Sequence, residues 1–236
     1  MRPSSAERQF VRWNGHHRAQ HLGVVLSFTA LVFTGLPLRY PDAAPSRWVM
    51  SLLGGATNAG VIHRVAAVVL LAASAYHVIY VLAMWRAGHR QIHMLPGLKD
   101  VRDVFGMLAY FVGLKHQRPK MERYAFPEKF EYWAMVWGTV IMAATGFMMW
   151  FPEVFLRYLP AWALAAAQAV HGWEAVLAAL AILIWHFYHA HLSPDVFPMS
   201  RVWLTGRISE SELKHHHALE WERIQAEEGA ARPAAD

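Results

Sequence analysis

The sequence predicts an all-α fold: an integral membrane four-helix bundle with both termini cytoplasmic. Three observations predict it. The 236 residues are 56% hydrophobic and only 17% charged, a balance unusual for a soluble domain of this length. Four apolar stretches approach the roughly 20 residues that cross a hydrocarbon layer of about 30 Å. The Lys and Arg residues also lie almost wholly on one side of those stretches.

The chain opens with the polar, basic stretch MRPSSAERQFVRWNGHHRAQ, residues 1–20. No small-residue cleavage site follows it, so a retained cytoplasmic segment is expected and not a removable signal peptide. HLGVVLSFTALVFTGLPL (21–38) is the first span, ending near Pro37. VIHRVAAVVLLAASAYHVIYVLAMW (61–85) is the second, and YWAMVWGTVIMAATGFMMWF (132–151) is the third, stopped by Pro152. The segment VFLRYLPAWALAAAQ (154–168) holds a Pro and an Arg and reads as a short interfacial helix feeding a fourth span at 169–191. Residues 21–192 are therefore the bundle and 193–236 a cytoplasmic tail. In that tail the three histidines at 215–217 and the stretch after them read as a solvated helix and a frayed end.

Orientation follows from charge. The N-terminal segment, the 86–131 connection and the tail carry 18 Lys and Arg, whereas the 39–60 loop and the 152–168 segment carry three. Positive residues stay inside, which places both termini in the cytoplasm of a bacterial inner membrane. This asymmetry accounts for the net charge of +5, and nucleic acid is not implied.

The absence of cysteine excludes disulfides, thiolate nucleophiles, iron–sulfur ligation and Cys-x-x-Cys-His haem attachment. The 15 histidines are then the available redox-site ligands. His21 opens the first span at its cytoplasmic end. His63 lies near the outer surface of the second, with His77 about 21 Å deeper at ~1.5 Å per residue; His171 and His186 bear the same relation in the fourth. Separations of 14 and 15 residues return to within about 40° to 60° of one helix face. Two layers result, His63 and His171 outside and His21, His77 and His186 inside. Ionisable groups in a bilayer are costly and face a protein interior, and bundle cores hold haem between histidines of facing helices. Two stacked haems b, forming an electron path across the membrane, are the expected use. Gly35 and Gly146 fall where a flat cofactor or a neighbouring helix would approach.

Two other readings use the same residues. HHRAQH (16–21) and HFYHAH (186–191) resemble the histidine boxes of membrane non-haem di-iron oxidases and hydroxylases, which need clustered ligands with open positions. That reading leaves His63 and His171 without work. A histidine-gated ion or proton carrier would call for broken helices and inverted repeats.

The stretches RAQHLGVVLSFTALVFTGLPLRYP, GVIHRVAAVVLL, FPEKFEYWAMVWGTVIMAATGFMMWFP and HGWEAVLAALAILIWHFYHAHLSPDVFPMSRVWLTGRIS resemble the di-haem cytochrome b subunits of the formate dehydrogenase gamma, thiosulfate reductase and nickel–iron hydrogenase group, over about residues 8–220. The resemblance implies four helices carrying two b haems, quinone near the cytoplasmic one, and an extracytoplasmic redox subunit near the other. It also implies His63 with His171 as the outer ligand pair and His21 with His186 as the inner. The chain departs from the formate dehydrogenase pattern in three places. The fourth-span histidines are 15 residues apart, not 14. His77 is additional and could replace His21, hold quinone or hydrogen-bond. Ala125 stands where the family has a quinone-side asparagine.

Tyr124, Glu128, Lys129 and Glu131 stand at the cytoplasmic membrane edge, where quinone (menaquinone or ubiquinone) chemistry needs polar groups. Arg18 and Arg64, beside proposed ligands, are suited to haem propionates, and Glu174 is an intramembrane acid one turn after His171. The tail resembles the thiosulfate-reductase-like branch, which turns the expected partner toward a multihaem cytochrome c; an iron–sulfur, hydrogenase or dehydrogenase subunit is the alternative, and the direction of flow depends on which it is. The expected function is electron transfer between the quinone pool and that partner.

Overall fold

The computed structural model describes residues 7–89, 92–194 and 196–231. A short strand β1 (Gln9–Val11) leads into α1 (Gly15–Arg39), whose start is capped by Asn14 accepting from the His17 amide at 3.0 Å. An outer amphipathic helix α2 (Ala44–Leu53) stops at Gly54, which adopts the left-handed conformation (φ 78°) that glycine accommodates without strain. The second span is α3 (Ala56–Arg86). A 3-10 turn (Ile92–Met94) and a second amphipathic helix α4 (Leu98–Phe111) fill the long connection to α5 (Phe126–Trp150). A single turn α6 (Pro152–Phe155) precedes α7 (Ala161–Leu180), which runs on as π-helix at Ala181–His186 and Tyr188–Leu192. The tail forms α8 (Val202–Thr205), β2 (Arg207–Ser209), α9 (Glu210–His216) and α10 (Ala218–Ala231).

Among the described residues, four helices are long and apolar enough to cross a membrane: Gly15–Arg39, Ala56–Arg86, Phe126–Trp150 and Ala161–Leu192. They pack chiefly as two pairs, α1 with α3 and α5 with α7, and α1 against α7 joins the pairs. The α1/α3 seam shows why. Gln20, Ser27 and Thr34 recur every seven residues on α1 and are buried, as are Ala59, Ala66 and Leu70 on α3. Small side chains let two backbones approach where lipid supplies no hydrophobic drive. The hydroxyls of Ser27 and Thr34 donate to Gly23 and Ala30 carbonyls of their own helix, each at 2.7 Å, so burial leaves neither unsatisfied.

The fourth span differs from the sequence expectation. The interfacial helix expected over 154–168 is only the turn α6, and from Ala161, just after Pro160, the chain already belongs to α7. Pro160 marks the start of a helix there, a position where its missing N–H costs nothing.

The end of the bundle that carries β1 and the tail is a built structure. β1 pairs antiparallel with β2, Phe10 opposite Ile208, and the Arg12 and Trp13 amides donate to the Gly206 carbonyl at 2.8 and 3.0 Å. Arg12 is 5% exposed and donates to Glu220 at 2.5 Å; Glu220, also 5% exposed, accepts from Arg123 as well. His217 is buried, donates through Nδ1 to the Glu122 carbonyl at 2.9 Å and accepts through Nε2 from Arg12 at 3.1 Å. Burial, then the Arg12 charge, pushes its pKa down to about 3. Within 215–217, His215 and His216 close α9 and His215 is exposed, as the composition suggests, whereas His217 is buried against an arginine far away in sequence. Residues 218–231 are α10, and the final five residues lie outside the described ones.

Candidate haem-binding histidine pairs

Four of the five intramembrane histidines come together two by two between the helix pairs, each a meeting of α7 or its extension with a helix of the other pair. His63 of α3 and His171 of α7 face each other with ring centroids 6.3 Å apart. His21 of α1 and His186 of the π-helical extension do the same at 6.4 Å. A metal–imidazole bond is about 2.0–2.1 Å and the ring centre lies roughly 1.1 Å beyond the nitrogen, so an iron ligated from both sides needs centroids about 6.3 Å apart. Both pairs meet that spacing.

The outer pair is oriented by a repeated device. Thr34 Oγ1 lies 2.9 Å from His63 Nδ1, and Thr145 Oγ1 lies 2.9 Å from His171 Nδ1. Each hydroxyl already donates to its own helix, Thr34 to Ala30 and Thr145 to Ile141, both at 2.7 Å. It therefore accepts the Nδ1–H, which leaves Nε2 with its lone pair for a metal. Each threonine is followed by a glycine against the same ring: a Cβ on Gly35 would stand 3.0 Å from His63 Cε1, and one on Gly146 would stand 3.4 Å from His171 Cε1. A cradle of this kind fits a ring held in one orientation.

The inner pair is held differently. His186 Nδ1 donates to Glu131 Oε2 at 2.8 Å. His21 sits between Trp13 (5.2 Å) and Trp203 (5.8 Å), and its buried Nδ1 has no partner among the described residues. The 15-residue separation is accommodated by the π turns. An α-helix advances about 100° per residue, while an i→i+5 turn advances only about 82°. Five steps from Ala181 to His186 taken as π-helix therefore cancel nearly the whole rotation of one extra residue.

His77 is occupied on both sides. Its Nδ1 lies 2.9 Å from Gln20 Oε1 and its Nε2 lies 3.0 Å from the Tyr132 hydroxyl. The Nε2 atom of Gln20 and the Nδ1 atom of His17 are buried without partners among the described residues. With His21, three such atoms fall within two turns of α1.

The remaining expected residues have other neighbours. Glu128 accepts from the Ala125 amide at 2.7 Å and caps α5; Lys129, 8% exposed, is tied to Asp100 of α4 at 2.8 Å; Tyr124 lies under Arg12 at 5.1 Å. Arg64 extends over Trp150 at 5.8 Å, and Arg18 lies beside Gly206. Glu174 reaches α5 at Gly138. The two histidine-rich stretches disperse: His16 bonds Tyr76 at 2.6 Å, His17 packs on Tyr80, His189 bonds the Trp185 carbonyl at 2.7 Å and His191 packs on Phe187. Among the described residues, no three His, Cys, Asp or Glu side chains converge on one point.

Sequence reasoning missed Thr34, Thr145, Gln20, Tyr132 and Arg39. The Thr-Gly dipeptide recurring in spans one and three was the available signal for the threonines. Arg39, counted as a loop residue, turns back so that its Nε would be 2.8 Å from a Cβ on Gly172, next to His171.

Comparison with known proteins gives the family. The chain is 25% identical over 213 residues, 90% of its length and 82% of the relative's, to the cytochrome b556 subunit of formate dehydrogenase from Haemophilus influenzae. It is 21% identical over 224 residues, 95% of both chains, to the cytochrome b556 subunit of the nitrate-inducible formate dehydrogenase of Escherichia coli K12. The family model described as prokaryotic cytochrome b561 matches residues 12–196, from buried Arg12 through all four spans. The chain therefore belongs to the prokaryotic cytochrome b561 family and is a haem-b-binding, multi-pass electron-transfer protein of the bacterial inner membrane.

Proposed function

We propose that this protein carries electrons between the quinone pool and an extracytoplasmic redox partner through two b haems. His63 and His171 hold the outer one, and His21 and His186 hold the inner. The observation that carries this reading is the spacing of the two histidine pairs, 6.3 and 6.4 Å, each suited to one iron. Bound haem supplies one-electron iron chemistry at each pair. His77, with both ring nitrogens engaged, is a hydrogen-bonding residue and not an axial ligand. Both termini are cytoplasmic, consistent with the charge count and with β1 and β2 closing at one end.

Quinone binds at the inner end, against Gln20, His77 and Tyr132. The buried unpartnered atoms of Gln20 and His17 suit a ligand with carbonyl oxygens, because a buried donor without a partner costs roughly 1–3 kcal/mol. Tyr132 donates its hydroxyl hydrogen to His77 Nε2, so His77 is placed to take a proton released on that side. Tyr124, Glu128 and Lys129 frame the cytoplasmic mouth. Arg64 and Arg39 at the outer end and Arg18 at the inner end hold propionates. Relatives that are formate dehydrogenase subunits support an oxidoreductase partner, either an iron–sulfur or dehydrogenase subunit or a multihaem cytochrome.

The test is haem content and spectrum of the detergent-purified protein. About two b haems per chain are expected, falling to one in His63→Ala or His21→Ala and staying at two in His77→Ala, whose quinol oxidation slows. One haem in the unmodified protein, or loss of haem from His77→Ala with His21→Ala unaffected, would refute the assignment.

A further inference from the structure

The four imidazoles differ in what their Nδ1 atoms meet. On the outer pair both partners are neutral hydroxyls, Thr34 and Thr145, each already committed to a helix carbonyl. On the inner pair one partner is a carboxylate, Glu131, at 2.8 Å from His186. A carboxylate accepting Nδ1–H draws the imidazole toward imidazolate and raises its basicity as a ligand, which favours the oxidised metal. Around the outer pair stand two guanidiniums: Arg64, adjacent in sequence to His63, and Arg39, against Gly172. Positive charge in a weakly screening surrounding favours an added electron. Arg18, one turn from His21, and Glu174, one turn from His171, act in the opposite sense; like Arg64 and Arg39, neither is bonded to any of the four imidazoles, so the contact that separates the two pairs is that of Glu131 with His186.

We propose that Glu131 makes the inner histidine pair the lower-potential site, so that the step between the two sites is downhill in the outward direction, away from quinol at the cytoplasmic end and toward an acceptor docked outside. This rests on the two-haem reading above. The electron balance is closed by two named classes of reactant. Each quinol loses two electrons and two protons at the inner end, the electrons cross one at a time, and two equivalents of a one-electron acceptor outside are reduced. Glu131 is a positioning residue in this scheme: it acts through His186 and touches neither quinol nor the acceptor.

The test is a potentiometric titration of the purified holoprotein, followed in the visible spectrum, for the unmodified chain and for Glu131→Gln, which keeps a hydrogen-bond acceptor and removes the charge. Two components are expected. In Glu131→Gln the lower one shifts upward by at least a tenfold change in electron distribution, about 59 mV for a one-electron couple, and the upper one stays. His63→Ala, which leaves only the inner site, should retain the lower component and so identifies it. If Glu131→Gln moves the upper component, or neither, or if His63→Ala retains the upper one, the proposal is overturned. A single component accompanied by one haem per chain removes the two-haem reading itself, an outcome told apart by haem quantification. Glu174→Gln, measured alongside, should leave the lower component in place; a larger shift of that component than in Glu131→Gln would assign the tuning to the wrong carboxylate and overturn it.

Discussion

Replacing Gly35 with alanine should cost the protein its outer haem, while the matching change at Gly146 should not. A Cβ at position 35 would stand 3.0 Å from His63 Cε1, and one at position 146 would stand 3.4 Å from His171 Cε1. Carbon atoms in contact settle at about 3.5–4.0 Å, so the first substitution asks the His63 ring to retreat by about 0.5 Å and the second by about 0.1 Å. The ring has little freedom to do so, because Thr34 holds Nδ1 at 2.9 Å and a metal site tolerates only about 0.2 Å in ligand distance. Gly35→Ala therefore exceeds the tolerance and Gly146→Ala does not. Haem per chain by pyridine haemochrome should fall from two toward one in Gly35→Ala and stay near two in Gly146→Ala. Equal haem content in the two variants, or loss confined to Gly146→Ala, would show that the glycines do not act through clearance for the histidine rings.

Thr145→Val removes the acceptor for His171 Nδ1 while keeping the shape, and should weaken haem retention at the outer pair by 10- to 100-fold without touching the inner; Thr145→Ser should restore it, as read from haem loss during dilution. Glu220→Gln removes the nearer of the two carboxylates that pair with buried Arg12, leaving only Glu128 at 3.9 Å, a loss of up to about 3–5 kcal/mol, and should release the tail to limited proteolysis in intact membranes. The same tail should loosen on acidification: the folded-state pKa of His217 is lowered to about 3 from 6.5, so the unfolded form binds the proton first and stability falls as pH drops from about 6.5 toward 3. His217→Asn should flatten that part of the protease-sensitivity profile. Deleting Ile182 from the π-helical stretch should be tolerated, with two haems retained, because the helix can revert to regular α geometry; loss of haem from this variant would show that the π turns do not absorb the extra residue.

Much of this architecture was readable because a bilayer makes its demands in composition. The four spans, their order and the clustering of charge at one end follow from apolar length and from Lys and Arg positions, and histidine numbers alone sorted His63 and His171 from His21, His77 and His186. The unreadable parts depend on contacts distant in sequence. Strands of three residues, Gln9–Val11 and Arg207–Ser209, are too short to show alternation, and the cap they form is held by Arg12 and Glu220. Periodicity also assumes one helical pitch, so the 15-residue interval looked like a misplaced imidazole until the π turns at Ala181–His186 took up the excess. His77 could not be separated from His21 by depth; only its two hydrogen bonds, to Gln20 and Tyr132, distinguish them. Pro160 was taken as an interruption because a proline reads the same way at a helix start as within an interfacial turn.

The pairing of Gln9 with Ser209 has a consequence for biogenesis. Ribosomes extend a chain at about 5–20 residues per second, so roughly 10–40 s separate the emergence of these two partners. His21 follows the first strand and His186 precedes the second, so α1 enters the bilayer long before either its facing histidine or the cap that steadies its entry exists. The outer pair also waits for the last span. If these pairs hold the haem, loading is a late event acting on a fully threaded apoprotein, and a chain truncated before the tail would reach the membrane with His21 and His186 both present but without Trp203, which packs on His21.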